Sequence, residues 1–448
     1  MKSSTINFNR QPDEKRDSVR PLKNNRVQAK YFLIALLTII SIRSLGQNNN
    51  IPYSQLGLGD LEDGYYNRTS GMANTGIAYR SNRFLINNNP ASFSALSDQY
   101  FTMELGLRGQ YIHYAGTPVD VASTESGDIT FRKLVMGIKA SKHWGTSIGL
   151  LPYSTQNYEF AVPYNLVGST TQIASHYYQG HGSVNRAYWA NAYEFFHHIS
   201  IGIDASYIFG QLNQNDIIQA SANGQTLVST TNNTNLQNAV FTYGMQIYGK
   251  LWKNWSYSLG GTYSTRADLL AASTKLVLGA DSSTLQNIQN DETYLSLPQT
   301  YGIGIAITDK QKYTFLADYR YQDWNSVQTK NSYPGQDYSI VSAERGSIGF
   351  EVSKKKTFYN TRVELSYLQG GLYYGNTYLQ INGKQIKDYG ITAGFGINSL
   401  KSPLAYSIVF QYGIKGTVQN DLVRENYANI TFNINFGTIW YTKGKKFD

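Results

Sequence analysis

The chain has no cysteine among its 448 residues, so disulfide bonds, thiolate nucleophiles and cysteine-ligated metals are excluded. It has no run of 18 or more apolar residues, which excludes a membrane-spanning helix. Only 15% of the residues are charged. The formal net charge of +9 comes mostly from the first 46 residues, which hold 9 Lys and Arg against 3 Asp and Glu. The remaining 30 basic and 27 acidic residues form no basic patch, so the sequence gives no sign of nucleic-acid binding.

The sequence is rich in tyrosine, and apolar and polar residues alternate strictly in many of its segments. Near the end of the chain, Asn429, Thr431, Asn433 and Asn435 alternate with Ile430, Phe432, Ile434 and Phe436. The pattern recurs from about residue 100 in segments of about ten residues, the length of a transmembrane β-strand. The 37 tyrosines suit the aromatic girdles of such a barrel. We predict an all-β transmembrane barrel, which is favoured over a tyrosine-rich soluble β-protein.

Short and long connections alternate between the predicted strands, as in outer-membrane barrels with periplasmic turns and extracellular loops. Six turns and seven loops predict fourteen antiparallel strands with both termini in the periplasm. Long loops are expected over 212–238, 325–341 and 371–386, among others. The stretch 267–297 is also predicted as a loop, and an extra hairpin above the membrane is left open there.

Residues 1–46 have the pattern of a signal peptide. An apolar core over Tyr31–Ile42 follows a basic region, and Ser44-Leu45-Gly46 offers small residues for cleavage before Gln47. No cysteine follows, which excludes a lipoprotein anchor. We therefore expect a multi-pass barrel in the outer membrane of a Gram-negative cell, surrounded by outer-membrane lipid and inserted by the barrel-assembly machinery.

Residues 47–99 are rich in glycine and asparagine and do not alternate, so they are predicted to form an N-terminal hatch inside a barrel over 100–448. Fourteen strands leave a lumen too wide to be filled by wall side chains alone. Charges of both signs are predicted to face this lumen. The favoured interpretation is that they solvate the lumen and pair with one another and the hatch, and a specific substrate role is the alternative. They are Glu104, Arg108, Asp204, Asp318, Arg320, Glu351, Arg362 and Glu364.

Pro152 lies inside the third predicted barrel strand, over 147–154. Because proline cannot donate to a strand ladder, it marks an edge, a strand start or a bulge. A closed barrel has no edge, so one interpretation is a bulge that opens a lateral gap in the wall. The other is that Pro152 lies above the membrane, and the residues alone leave both open.

Several short motifs, in order along the chain, resemble the FadL/TodX family of outer-membrane transporters for long-chain fatty acids and aromatic hydrocarbons. They are Asn89-Pro90-Ala91 in the hatch, Pro152-Tyr153 in the third strand, Leu297-Pro298 to Gly304, and Ala317-Asp318-Tyr319 with Asp323-Trp324. The resemblance implies fourteen strands, a hatch and a kinked third strand with a side opening at Pro152 and Tyr153. It further implies passive uptake of hydrophobic small molecules by hatch movement.

The sequence also departs from that family. Tyr153-Ser154 stands where the family has Phe-Gly, and the segment from Pro52-Tyr53-Ser54 to Asp60 is similar to a divergent branch common in Bacteroidota. Members of the broader superfamily in Bacteroidota include PorV-like barrels of type IX secretion, which bind protein. The alternative function is therefore a protein-binding module in secretion or surface display. A general diffusion pore is a third, weaker option.

No enzymatic activity, cofactor or metal is expected. Gly145-Thr146-Ser147-Ile148-Gly149 matches a nucleophile motif, but it lies in an alternating strand, whereas a nucleophile elbow needs a strand–turn–helix setting. His197 and His198 lie at a predicted turn, where solvated histidines are favoured over metal ligands.

Overall fold

The computed structural model describes residues 52–116, 124–165, 173–220, 225–309, 312–326, 332–333, 336–358, 361–400, 402–420 and 422–439. The predicted signal peptide over 1–46 lies outside these residues, and so does the side chain of Arg362.

The described chain forms one closed antiparallel sheet. Its strands are β1 (Asp60–Leu61), β2 (Tyr100–Gly116), β3 (Glu125–Lys139), β4 (Trp144–Asn165), β5 (Ile173–Phe195), β6 (Ile199–Ala220), β7 (Thr226–Lys250), β8 (Trp255–Ser264), β9 (Ala267–Gly279), β10 (Thr284–Leu297), β11 (Gln299–Asp309), β12 (Tyr313–Asp323), β13 (Ser332–Tyr333), β14 (Gln336–Ile340), β15 (Ala343–Phe358), β16 (Thr361–Ile381), β17 (Lys384–Asn398), β18 (Leu404–Gly416) and β19 (Val423–Ile439).

Fourteen of these strands form the wall, as predicted: β2 to β8, β11, β12 and β15 to β19. The barrel closes where β19 pairs with β2, from Ile439 opposite Tyr100 to Val423 opposite Gly116. Strand β8 pairs with β7 and β11, and the β9–β10 hairpin continues the sheet towards the loops, with β9 pairing the first half of β7. We call the rim that carries the short connections the turn end and the opposite rim the loop end.

Alternation places polar side chains inside and apolar side chains outside. On β19 the inward Asn429 is 5% exposed, whereas its neighbour Ile430 is 49% exposed. On β6, Ser200 and Asp204 are buried while Ile201 and Ile203 are exposed on the outer surface. An apolar outer surface on a barrel suits lipid, because lipid offers no hydrogen-bond partners and the strands pair most of their backbone groups with one another.

The segment over 52–99 contains three short 3₁₀ helices, Pro52–Gln55, Ser70–Met72 and Pro90–Ala95, and the two-residue strand β1. We call these residues the hatch. Many of its residues are buried among inward-facing side chains of the wall. No helix in the described ranges combines the length and hydropathy needed to cross a bilayer.

The long loops predicted over 212–238 and 371–386 are wrong in extent. Strands β6 and β7 continue towards the loop end through Ala220 and from Thr226, and β16 and β17 meet at a turn after Ile381. The polar Thr- and Asn-rich run of β7 has the composition of a loop. Its backbone nevertheless pairs with β6 and β9, so strand pairing outweighs composition here. The hairpin left open over 267–297 is present as β9 and β10.

Candidate functional site: the hatch, the central cavity and the gap between β3 and β4

The hatch is tied to one side of the wall by a buried ion-pair cluster around Arg68. The Arg68 guanidinium donates to Glu351 at 3.0 and 2.7 Å and to Glu364 at 2.6 and 2.7 Å. It also stacks over the ring of Tyr367, with 4.0 Å between the guanidinium carbon and the ring centroid. Two forked contacts from one guanidinium fix both the position and the orientation of this part of the hatch.

Asn89, Pro90 and Ala91 form a second attachment, near the turn end. The Asn89 side chain accepts a hydrogen bond from the Ala91 N–H at 3.0 Å and so caps the helix Pro90–Ala95. Its amide nitrogen lies 2.9 Å from the carbonyl of Ile77 and 3.1 Å from that of Met245 on β7. A β-carbon at Gly202 would collide with the backbone at Pro90 and Ala91, so this motif packs directly on the wall. The asparagine thus joins three chain segments through a single amide.

Six of the predicted lumen charges that the structure describes contact the hatch, among them Glu364 with Arg68. Asp318 accepts from the N–H groups of Gly76 and Ile77 at 2.6 and 2.9 Å. The other four are Glu104, which accepts from the Leu85 N–H, Arg108 beside Glu62, Arg320 at the carbonyls of Asp63 and Asn74, and Glu351 with Arg68. Asp204 pairs with Arg186 on the neighbouring strand at 3.4 Å. These charges hold the hatch as well as lining the lumen.

A central cavity of about 290 Å³ lies between the two ends of the hatch. Small-molecule sites commonly span about 300–1,000 Å³, so its size suits a compact ligand. Its lining mixes apolar and charged groups from the whole circumference of the barrel. Representative residues are Leu151, Tyr153, Val240, Leu297, Arg345 and Asp388.

An apolar core closes the barrel interior towards the loop end. Tyr53, Leu56 and Leu58 of the hatch pack into a cluster with buried wall and loop-end residues such as Trp324 and Tyr378. The Tyr53 hydroxyl donates to the carbonyl of Val423 at 2.5 Å. The first residues of the described hatch therefore fill the barrel interior on the loop-end side of the cavity.

The pairing of β3 with β4 stops part-way along the wall. The ladder runs from Lys139 opposite Gly145 to Leu134 opposite Leu150 and goes no further among the described residues. Beyond that point β3 still pairs with β2 and β4 still pairs with β5. We call this interruption the β3–β4 gap. The outward-facing Leu134, Leu150 and Phe131 beside it are exposed and apolar, which places the gap at the level of lipid.

Pro152 and Tyr153 lie at the start of the gap. The β4–β5 ladder shifts register between Pro152 and Ser154, which is the geometry of a β-bulge. Asp60 and Leu61 of β1 pair with Thr155 and Ser154, and the Glu62 N–H donates to the carbonyl of the bulged Tyr153 at 3.0 Å. The hatch therefore occupies the edge of β4 that β3 leaves open.

Glu62 joins this part of the hatch to the opposite side of the gap. Its carboxylate lies 2.5 Å from Arg132 and 3.4 Å from Arg108, and it accepts a short hydrogen bond from Tyr66. Burial raises the pKa of Glu62, but the two guanidinium groups and the hydroxyl outweigh it, so the pKa lies below its usual value. The carboxylate therefore remains charged and pairs with both arginines. We call Glu62, Arg108 and Arg132 the gap cluster.

A profile of the BamG family matches residues 29–448. The chain belongs to the BamG family. No curated protein matches this BamG-family chain.

Solved structures share the fold of this BamG-family barrel at low sequence identity. A FadL homologue from Pseudomonas aeruginosa has 11% identity and a TM-score of 0.56, covering 86% of this chain and 100% of its own. The Pseudomonas putida toluene transporter TodX has 16% identity, a TM-score of 0.52 and the same coverages. The CymD monoaromatic hydrocarbon channel has 13% identity and a TM-score of 0.51, covering 86% of this chain and 99% of its own. The predicted FadL/TodX-like fold is confirmed.

Sequence reasoning missed the residues that attach the hatch to the gap. Arg132 and Lys133 are consecutive, yet both are buried, because a register shift between Gly106 and Leu107 interrupts the alternation of β3 against β2. Lys133 pairs with Glu104 at 2.6 Å, and Arg132 pairs with Glu62. The sequence did contain a signal of this bulge, namely two adjacent charged residues inside an alternating strand. In a regular strand one of the two would face lipid.

Proposed function

We propose that this outer-membrane barrel passively transfers small, largely apolar molecules between its central cavity and the bilayer through the β3–β4 gap. The observation that carries the proposal is the end of the β3–β4 ladder at Leu134 and Leu150, beside the cavity and at lipid level. Because the interior is closed by an apolar core at the loop end and by the hatch at the turn end, a lateral route is the shortest exit. We place the turn end and both chain termini in the periplasm.

Transfer by this route requires two movements of the hatch. The plug formed by Tyr53, Leu56 and Leu58 leaves the apolar core and admits the ligand from the loop end. Strand β1 then leaves β4, which uncovers the gap. Charged and apolar groups share the cavity wall, so the favoured ligand has an apolar body and a small polar group.

A disulfide across β1 and β4 tests the route directly. Leu61 and Ser154 are register partners, and the chain has no other cysteine, so Leu61→Cys with Ser154→Cys gives one defined cross-link. We expect oxidation to stop uptake of radiolabelled oleate or toluene by cells that express the barrel, and reduction to restore it. The matched control is Ser256→Cys with Thr308→Cys, which joins the wall strands β8 and β11. The proposal fails if the β1–β4 cross-link leaves uptake unchanged, or if deleting the protein affects uptake of neither compound.

A protein-binding module is the second candidate function, and strand β10 favours it. Among the described residues β10 pairs only with β9, so its other edge is open. Leu285 and Tyr294 on it are 62% and 70% exposed. An open strand edge accepts an extended segment of another protein by strand addition. The family name, BamG, points to the barrel-assembly machinery as an envelope partner of this kind.

This candidate predicts a stoichiometric envelope partner that co-purifies with the barrel. Leu285→Lys with Tyr294→Lys places charges on the open edge and should remove that partner, while Ser282→Lys in the β9–β10 turn should retain it. Retention of the partner by the double variant would exclude β10 as the contact.

A further inference from the structure

We infer that the turn end carries a binding site for a divalent transition-metal ion, formed by His143, Glu194 and His197. The ligand atoms of these three residues all lie within 4.8 Å of one another. From the sequence, His197 and His198 are expected to be solvated turn residues, and no metal is expected. The structure adds His143 from a different turn and Glu194 from the end of β5.

Two neighbouring turns bring the three residues together. His143 ends the connection between β3 and β4, and His197 lies in the connection between β5 and β6. The Glu194 N–H donates to the His143 carbonyl at 2.9 Å, which joins the two turns through their backbones. Phe196 and His197 both have positive φ angles, 49° and 57°, in a region that non-glycine residues seldom occupy. This tight turn brings His197 close to Glu194 on the strand that precedes it.

The distance between the His197 and Glu194 ligand atoms matches that between two ligands of a four-coordinate ion. Nδ1 of His197 lies 3.5 Å from Oε1 of Glu194. Two ligands at about 2.0–2.2 Å from a tetrahedral zinc ion are themselves roughly 3.3–3.6 Å apart. The rings of His143 and His197 are tilted by 47° with their centroids 5.3 Å apart, so they do not stack flat and their nitrogens are free to converge.

His143 supplies an independent observation that points to a ligand at this place. Its Nδ1 atom is buried and has no hydrogen-bond partner among the described residues. A buried polar nitrogen without a partner is unfavourable, because it has lost its water without replacement. A metal ion bound by Nδ1 would supply the partner.

Arg80 of the hatch orients the carboxylate of Glu194. Its other oxygen, Oε2, lies 3.9 Å from the Arg80 guanidinium, which leaves Oε1 for the ion. Arg80 itself donates to Gln246 at 2.9 Å and stacks over the Tyr248 ring at 3.7 Å. Such outer contacts fix a carboxylate ligand and commonly change metal affinity by about 10- to 100-fold. Arg80 belongs to the hatch, so the site connects two turns of the wall with the hatch.

Two imidazoles and one carboxylate suit zinc and neighbouring transition metals better than calcium or magnesium, which prefer all-oxygen sites. Three protein ligands leave a fourth position open. The side chain of His197 is 77% exposed, so this position faces solvent. Neutral histidines and a charged glutamate are needed, so binding weakens in acid.

Binding is tested on the purified full-length barrel without a histidine tag. Isothermal titration with Zn²⁺ should show one site per chain, and Co²⁺ should give the visible absorption bands of a tetrahedral site. His197→Ala should weaken Zn²⁺ binding at least about tenfold. His198→Ala is the matched control, since His198 is the exposed neighbour outside the cluster and should leave affinity unchanged.

A second pair of variants separates loss of a ligand from loss of folding. Glu194→Gln keeps the shape of the side chain and should also weaken binding, while thermal unfolding without metal stays near that of the unmodified barrel. Zn²⁺ should raise the unfolding temperature of the unmodified protein and of His198→Ala, but not of His197→Ala. The inference is overturned if the unmodified barrel binds no Zn²⁺ below millimolar concentration, or if His197→Ala binds as tightly as His198→Ala.

Discussion

Replacing Arg68 with alanine should release the hatch from the wall while leaving the barrel folded. The Arg68 side chain is 5% exposed and its partner Glu351 is 3% exposed. The variant leaves the buried Glu351 and the largely buried Glu364, whose side chain is 17% exposed, without their shared cation. Removing one partner from a buried ion pair costs about 3–5 kcal/mol.

This cost destabilises the closed hatch, because among the described residues Arg68 is the only hatch side chain that forms an ion pair with Glu351 or Glu364. At 1.36 kcal/mol per factor of ten, the population with an open hatch should rise by roughly two to four orders of magnitude. Hydrogen exchange in detergent micelles measures the opening directly. We expect peptides from 62–99 to exchange faster, with wall peptides from β16 and β17 unchanged. Planar bilayers should show conductance bursts that the unmodified barrel lacks.

The matched control is Arg266→Ala. Arg266 pairs with Asp268 at 3.4 Å, but these side chains are 43% and 51% exposed. An exposed pair contributes at most about 1 kcal/mol, so the control should exchange as the unmodified protein does. Arg68→Lys keeps the positive charge but cannot form the forked contacts of a guanidinium. The exchange rate of its hatch peptides should therefore lie between those of Arg68→Ala and Arg266→Ala. Equal hatch protection in Arg68→Ala and Arg266→Ala would refute the view that buried charge pairing holds the hatch.

Three further predictions concern the same assembly. Because the pKa of Glu62 is lowered in the folded protein, its stabilising contribution is present above the usual pKa and lost as pH falls through the lowered value. A cysteine at Leu61 should therefore become reactive, towards a thiol reagent that works in acid, only once the pH falls below the usual pKa range of a glutamate, and Glu62→Gln should remove this pH step. Asn89→Ala should destabilise the hatch by about 1–3 kcal/mol, measured by exchange of 77–95, because it leaves buried backbone groups unpaired. Gly202→Ala should displace the hatch at a cost of about 1–3 kcal/mol in urea unfolding, whereas Gly261→Ala, whose β-carbon would meet nothing within 4 Å, should be tolerated.

The sequence predicted the wall well because the wall follows a local rule. Alternation along 429–436 identified one polar and one apolar face, and the structure places Asn429 inside and Ile430 outside. The rhythm of turns and loops gave the number of strands correctly. The predicted loop lengths were wrong, for example over 212–238, because composition does not reveal whether a polar segment pairs with a neighbouring strand.

The attachment of the hatch was beyond sequence reasoning. Arg68 and Glu351 are separated by 283 positions, and no local pattern relates them. The same is true of His143 and Glu194, which meet only because two turns are adjacent in the closed sheet. Inward charges such as Asp318 were identified, but their hatch partners were not.

The sequence by itself determined that this chain forms a closed barrel with an apolar outer surface. Successive side chains of a strand point to opposite faces, so the pattern is visible in consecutive residues. It also marked Pro152 as a place where the ladder is disturbed. Only the tertiary structure decided that the β3–β4 ladder ends at Leu134 and Leu150 and that β1 occupies the edge left open. Register between strands and the packing of the hatch depend on contacts between distant residues. These contacts exist only once the sheet has closed.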